Sequence, residues 1–345
     1  MNTKIKIAII GFGRMGITHF SIVNSHPLVE LVAVVDTSST IISLLKKYTG
    51  TKSYDNYETL FKNENLDAVI ICTPPKLHFP IAKMAAKYGI HVFLEKPCTL
   101  EKRKAKELYD IFENKQLVNQ VGYVNRFNDI FIEVKRLLNI GLIGKLISFK
   151  SEMYSGTILK SDSKSSWRDS KISGGGATVD MAAHAIDLTN YLIGKPNKII
   201  GSRLAKVFSK NVEDIVSSTF LYKSGLTGIL NVNWSDESYR KPANKIEIFG
   251  LKGKIVANQH GLKIFCKSIS NEEKLRKGWN TRYITDIFKP VPFYVRGNEF
   301  TSQLYHFVDC ILNKETKTIC SFFDASVTLE IIEQIFEDYD VNGKI

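Results

Sequence analysis

No cysteine in this chain has a partner at metal-binding or redox spacing. The five, Cys72, Cys98, Cys266, Cys310 and Cys320, are odd in number and scattered, without a CxxC or CxxH pair. That pattern excludes a disulfide framework or a zinc centre as the organising feature, and reduced, mostly buried thiols are expected. Long apolar runs are missing too. The apolar stretch that follows Met-Asn-Thr-Lys is about six residues long, too short for a membrane span or the core of an export signal, so a cytoplasmic protein without a membrane partner is expected. Nor is there a block of one charge. The net charge is +12, from 47 Lys and Arg against 35 Asp and Glu. Its densest basic run, Lys102, Arg103, Lys104 and Lys106, is interrupted by Glu101, Glu107 and Asp110. Nucleic-acid binding calls for a concentrated basic stripe, and the surface read here is mixed. The mild positive field suits small anionic ligands, including a dinucleotide or a nucleotide-linked substrate. At 345 residues, 44% hydrophobic and 24% charged, the chain is an ordinary globular protein long enough for two domains.

What is present begins with an isoleucine-rich run at residues 4–10, as in a strand buried on both faces. It delivers Gly11-Phe12-Gly13-Arg14-Met15-Gly16 and then an amphipathic segment to about residue 25. A second apolar run, 31–35, ends at Asp36, twenty residues after Gly16. A GxGxxG alone is a weak signal, but between a strand and a helix and with this acidic residue it is a dinucleotide-binding fingerprint. Gly11 allows the tight turn, Gly13 lets backbone approach a pyrophosphate, and Gly16 lets helix and strand pack closely. The helix N-terminus offers N–H groups and partial positive charge to phosphates. Asp36 would accept hydrogen bonds from the ribose hydroxyls and repel a 2′-phosphate, which favours NAD over NADP, although Thr37-Ser38-Ser39 leaves room for a phosphate.

The alternation continues with a helix at 56–63, a strand at 67–72 ending in Thr73-Pro74-Pro75, and a helix through residue 87. A strand at 90–94 stops at Glu95-Lys96-Pro97, Thr99 caps a charged helix to about 114, and residues 117–123 form the last strand of the series. These make a Rossmann domain with a parallel sheet over residues 1–124. From residue 145 the pattern changes to strand-like stretches at 145–154, 198–208, 213–222, 226–234 and 244–249, with turn signals at Lys223-Ser224-Gly225 and at 250–253. An α+β domain over 125–345 follows, closed by helices near 298–313 and 323–338 that are expected to pack back on the rest. The polar, Ser/Lys-rich stretch 155–173 reads as a mobile loop over substrate.

The most informative stretch of the second half runs Gly174-Gly175-Gly176-Ala-Thr-Val-Asp180-Met-Ala-Ala-His184-Ala-Ile-Asp187. Three glycines interrupt regular structure, and the apolar spacing then predicts a helix with Asp180 and His184 one turn apart. A carboxylate beside an imidazole can orient the ring and raise its basicity, as general-base chemistry requires. An Asp/His pair at this spacing is also a common surface hydrogen bond.

Taken in order, the glycine loop, Cys72-Thr73-Pro74-Pro75 with His78, Glu95-Lys96-Pro97, Gly122 with Arg126-Phe127, and the glycine run leading to Asp180, His184 and Asp187 resemble the Gfo/Idh/MocA family, over nearly the whole chain. This family of oxidoreductases is named for glucose-fructose oxidoreductase, inositol dehydrogenase and a rhizopine-catabolism protein. The resemblance implies a Rossmann domain followed by a domain built on a large open, mostly antiparallel sheet. It also implies a cis Lys96-Pro97 peptide, a homodimer or homotetramer packed through the open sheet face, and an NAD-dependent dehydrogenase acting on a secondary hydroxyl of a sugar, cyclitol or nucleotide sugar. His184 then matches the proton acceptor, Lys96 the lysine that hydrogen-bonds the reacting oxygen, and Asp180 the carboxylate that binds substrate and tunes the histidine. Thr73, Pro74, His78, Glu95 and Lys96 join the glycine loop and Asp36 as cofactor-binding candidates, His78 being equally a structural histidine. Tyr123, Trp167 and Arg168 are substrate-binding candidates. Arg126 either lines the cleft or caps the adjacent helix, Asp187 either contributes or braces its helix, and Asn233, Trp234 and Tyr239 are further pocket candidates. A cofactor-binding regulator without catalysis and an NAD-assisted glycosidase are the alternatives within the same fold.

Overall fold

The computed structural model describes residues 4–156 and 167–343. Its contacts divide the chain into two units. The first runs to Val124 and takes back Pro290–Ser326, and the second is Asn125–Lys289 with the chain from Val327 onward.

In the first unit, runs of Ile, Val and Leu form strands with scarcely any exposed side chain. These are β1 (Ile5–Ile10), β2 (Val29–Val35), β3 (Lys52–Tyr54), β4 (Ala68–Ile71), β5 (His91–Leu94) and β6 (Asn119–Val121), in the order β3-β2-β1-β4-β5-β6. Every pairing is parallel. The helices between them are α1 (Arg14–Asn24), α2 (Ser39–Thr49), α3 (Tyr57–Asn63), α4 (His78–Lys87) and α5 (Lys102–Asn114). Successive strands are added outward on one side of β1 as far as β3 and on its other side from β4 onward, so the loops after β1 and β4 flank the switch point at which such sheets take their ligand. One strand, β3, was not located from sequence because three residues carry too little pattern. Thr99 is not the cap of α5. Glu101 occupies that position, and the Thr99 hydroxyl donates to the Glu101 carbonyl at 2.7 Å.

A returning helix completes this core. Leu304, Phe307, Val308, Cys310 and Ile311 join Ile7, Ile9, Ile22, Val34, Ile70 and Phe93 in one buried cluster. Burying such side chains contributes roughly 1.5–3 kcal/mol each, so residues from the far end of the sequence are integral to the first unit.

The second unit holds α6 (Asp129–Asn139), β7 (Leu146–Tyr154), α7 (Ala183–Leu192) and β8 (Lys198–Ala205). Then come β9 (Ile215–Leu221), β10 (Thr227–Asn233), β11 (Ala243–Gly250), β12 (Gly253–Asn258), β13 (Gly261–Cys266), β14 (Gly278–Tyr283) and the single turn α8 (Ile284–Ile287). The returning helices are α9 (Asn298–Leu312), of the first unit, and α10 (Phe322–Asp338), within which the division falls. The strands form one sheet in the order β14-β13-β12-β11-β7-β10-β9-β8. All of its pairings are antiparallel except β7 with β10.

Strict alternation of buried and less buried residues along β9 and β11 marks a sheet with one packed face. The helices α6 and α7 lie on that face. Gly228 is there because a Cβ would meet the Phe149 ring at 2.0 Å. The other face carries half-exposed Ile229, Phe249 and Trp279 beside a lattice of ion pairs linking Lys245, Lys254, Glu152 and Glu247. Three strands, β12 to β14, extend the five expected from sequence. All five cysteines are free thiols. Among the described residues no helix is long and apolar enough to cross a membrane.

Candidate active site

The glycine loop is built for close approach. Gly11 sits at φ +92°, and a Cβ there would stand 2.8 Å from the Cys72 carbonyl carbon, so the turn passes against the end of β4. A Cβ on Gly16 would lie 2.1 Å from the Gly11 oxygen, which bars any side chain where α1 rises from β1. Gly13 differs, since a Cβ there meets nothing within 4 Å. That open side, together with a helix whose first residue lacks a side-chain cap, leaves backbone N–H groups and dipole for a phosphate. Arg14 is exposed and Met15 half-buried beside them. Asp36 holds the loop from the end of β2. Its Oδ2 accepts the Phe12 N–H at 2.7 Å and its Oδ1 the Ser38 N–H at 2.9 Å. Two of roughly four lone-pair positions are used, and the rest are available to a ribose diol. The residues present therefore fit a dinucleotide.

Beyond the loop, Thr73 and Pro74 end β4 and Pro75 opens a short 3-10 turn before α4. His78 is fully buried, with Nδ1 2.8 Å from the Pro97 carbonyl oxygen and Nε2 2.8 Å from that of Thr73. Burial holds the ring below the ordinary imidazole value, against the pull of those carbonyls. Its polar atoms tie the loop after β4 to the loop after β5. Lys96-Pro97 is a cis peptide. Glu95 lies beneath Lys96, accepting from His19 at 2.7 Å through Oε1 and from the Lys96 N–H at 3.2 Å through Oε2. Burial pushes the Glu95 carboxyl up, but the His19 bond and charge, with the Lys96 charge and amide, outweigh it and leave it below the usual value. A Cβ on Gly122 would press on that carboxylate at 3.3 Å, so the chain after β6 passes close to Glu95. Sequence reading did not single out His19.

In the second unit the helix bearing the Asp/His pair is not regular where the spacing predicts it. Thr178–Ala182 forms a π-helical turn, and only from Ala183 does α7 begin. Such a turn closes through i→i+5 bonds and is wider than an α-helix, a feature that concentrates at functional sites. Asp180 lies in the wide turn, 6% exposed, and His184 is half-buried in the first turn of α7. Asp180 Oδ2 accepts from Arg168 Nε at 2.8 Å. Two substrate candidates are thus brought together as a mostly buried ion pair. Trp167 starts the short turn Trp167–Asp169 that carries Arg168. The rest of the expected covering loop, residues 157–166, lies outside the described residues. Gly174 and Gly176 adopt φ +85° and +105°, a backbone that side-chain-bearing residues rarely take.

Several other candidates have partners of their own. Arg126 is buried and grips Asp187 with Nε on Oδ2 at 3.0 Å and Nη2 on Oδ1 at 2.8 Å, while stacking 5.3 Å over Tyr191. That fork ties Arg126 to Asp187 on α7. Tyr123 is 1% exposed at the end of the first unit. Trp234 is wholly buried with Nε1 on Asp214 at 2.7 Å, a core residue, and Tyr239 stacks on Tyr154.

Comparison with known proteins agrees with this geometry. The family model described as "Oxidoreductase family, NAD-binding Rossmann fold" matches residues 5–123, and the GFO/IDH/MocA C-terminal domain model matches residues 131–256. The scyllo-inositol 2-dehydrogenase (NAD(+)) of Bacillus subtilis is 27% identical over 96% of this chain and 93% of its own. A levoglucosan dehydrogenase of Pseudarthrobacter phenanthrenivorans is 24% identical over 81% of this chain and 80% of its own. A solved levoglucosan dehydrogenase, in complex with NADH and levoglucosan, shares the fold at a TM-score of 0.87 with 23% identity, covering 98% of both chains. With matched models on both units, covering well over half its length, the chain belongs to the GFO/IDH/MocA family of NAD-binding oxidoreductases.

Proposed function

We propose that this protein is an NAD-dependent dehydrogenase that oxidises one secondary hydroxyl of a cyclic polyol, a free sugar or cyclitol or the sugar of a nucleotide conjugate. The observation that carries the reading is the cradle around Gly13 and Asp36, open where a pyrophosphate would approach and acidic where a ribose would sit. The similarity to a scyllo-inositol dehydrogenase supports the substrate class.

Bound NAD supplies a hydride acceptor; the remaining work falls to side chains of this chain. His184 takes the hydroxyl proton as the carbon is oxidised, which an imidazole near neutrality is suited to do. Lys96 presents an ammonium to the reacting oxygen and stabilises the negative charge that builds on it. Asp180, already steadied by Arg168, binds a substrate hydroxyl and supports the protonated histidine. Arg168, paired with Asp180, is a further substrate-binding residue, its planar guanidinium suited to a sugar ring. The negative charge of Asp36 disfavours a 2′-phosphate and selects NAD. Association through the open face of the second sheet, giving a dimer or tetramer, belongs to the same reading.

The test is a screen of the purified protein with NAD for absorbance at 340 nm against inositols, free sugars and nucleotide sugars. His184→Ala is expected to lower kcat on the active substrate by about 10²–10⁴-fold, the usual worth of a positioned base, with the NAD dissociation constant within about twofold. Retained turnover in that variant would assign the base elsewhere.

A further inference from the structure

The π-turn that carries Asp180 is held from outside its own segment. Its capping position is occupied by Ala177, which has no side-chain acceptor to offer the first free amides. The acceptor comes instead from the loop just before β9. The Thr178 N–H donates to Glu213 Oε1 at 2.9 Å, and the Ala177 N–H donates to the Glu213 carbonyl oxygen at 3.0 Å. Thr178 is 0% and Glu213 7% exposed, so neither bond competes with bulk water.

The glycine run explains itself through the same residue. A Cβ on Gly176 would stand 2.4 Å from Glu213 Oε1 and 2.8 Å from Oε2. The carboxylate therefore fills the space where Gly176 has no side chain, and the positive φ there bends the chain toward it. Glu213 is itself fixed, because the next residue, Asp214, is fully buried and accepts from Ser209, Trp234 and Ser235. One more contact reaches the neighbouring stretch, where Asn211 Nδ2 donates to Asp169 Oδ2 at 3.0 Å, one residue past Arg168. Residues 211–214 thus hold both stretches that supply the Arg168–Asp180 pair.

We propose that Glu213 is a positioning residue for the reaction. Its carboxylate caps the π-turn from across the unit and sets where Asp180 and His184 stand, without touching substrate. The inference rests on the roles assigned above to Asp180 and His184. A displacement of about 1 Å in a reacting group can cost on the order of 10²-fold in rate. Glu213→Ala removes the acceptor and is expected to lower kcat on the polyol that the wild-type enzyme turns over by about 10- to 100-fold, on that scale. Glu213→Gln keeps an amide oxygen that can accept the same bond, and is expected to restore kcat to within about threefold of wild type.

The experiment measures kcat, KM for the polyol and the NAD dissociation constant for wild type, Glu213→Ala, Glu213→Gln and His184→Ala side by side. A fall in kcat for Glu213→Ala with unchanged NAD binding, reversed by Gln, supports the assignment. Wild-type kcat in Glu213→Ala overturns it, as does a Gln variant that binds NAD normally but is as slow as Ala. Should the Ala variant fail to fold and lose NAD binding, the Gln variant decides alone, near-wild-type kcat supporting the cap and a 10-fold loss overturning it. Retained turnover in His184→Ala would instead sink the underlying reading, so the two failures are distinguishable.

Discussion

Replacement of Asp214 tests how the second unit is held together. Its carboxylate accepts backbone N–H groups from Val207, Phe208 and Ser209 at 2.6, 2.8 and 2.9 Å. It also accepts the Ser209 hydroxyl at 2.6 Å, the Trp234 indole N–H at 2.7 Å and the Ser235 hydroxyl at 3.0 Å. Each bond to a charged acceptor is worth about 1.5–3 kcal/mol on its own, but bonds that share one group do not add. The serine hydroxyls can turn toward other acceptors; the indole N–H, on a fully buried ring, cannot. Asp214→Ala should therefore cost about 3–5 kcal/mol, at the high end for single substitutions. Asp214→Asn should cost about 2–3 kcal/mol, since one amide oxygen still accepts while its NH₂ meets donors.

The pH dependence follows from the same bonds. Burial alone would raise the Asp214 carboxyl, but the donors from Ser209, Val207 and Trp234 overcome it and hold the group far below its ordinary value of 3.8. With the folded value depressed, the stabilisation is complete above pH 3.8 and is lost as the pH falls below it. Urea denaturation followed by tryptophan fluorescence should show a constant gap between wild type and Asp214→Asn from pH 8 to 5, narrowing toward pH 3. A gap under about 1 kcal/mol at pH 7 would refute the structural role, the loss of even one such bond being larger. A gap that stays level down to pH 3 would refute the electrostatic account.

Two predictions concern the cofactor. Asp36→Ala should weaken NAD binding and shift the ratio of NAD to NADP dissociation constants toward NADP, and because Phe12 and Ser38 lose their acceptor it should also loosen the turn. An unchanged ratio in a fluorescence titration would remove Asp36 from ribose recognition. Gly16→Ala places a Cβ where the Gly11 oxygen lies 2.1 Å away, so the loop must shift, and NAD binding by calorimetry should fall by at least about tenfold. Wild-type affinity in that variant would show that the loop can open without cost.

Most of the parallel sheet was legible because β1, β2, β4 and β5 are largely apolar runs with Gly, Pro or Asp within three residues of their ends, signals that survive without tertiary information. The short β3 fails that test, and β13 and β14 do too, because Lys263 interrupts one and Asn280, Thr281 and Arg282 the other. The helix carrying His184 was readable from spacing. The π-turn that holds Asp180 was not, since the acceptor that caps it is Glu213, 33 residues beyond Asp180. Arg126 shows a different limit. A lone arginine after a strand carries no sign of its partner, and only the fold reveals that Asp187 claims both ends of its fork. His19 was invisible for a related reason, its meaning lying entirely in the carboxylate of Glu95.

The return of α9 to the first unit bears on the order in which the chain can assemble. During synthesis the cluster around Ile7, Ile9 and Phe93 lacks Leu304, Phe307 and Val308 until the whole insertion from Asn125 to Lys289 has been made. Were that insertion a flexible coil, closing it would cost roughly 4–5 kcal/mol in chain entropy by the logarithmic law. The second unit removes most of that cost by folding, because it draws its own two ends together, the Lys289 N–H lying 3.2 Å from Asp129 Oδ2. The nucleotide-binding half is therefore a late beneficiary of the half that follows it, and a ribosome-bound chain halted before residue 289 would display an unfinished apolar flank beneath its glycine loop.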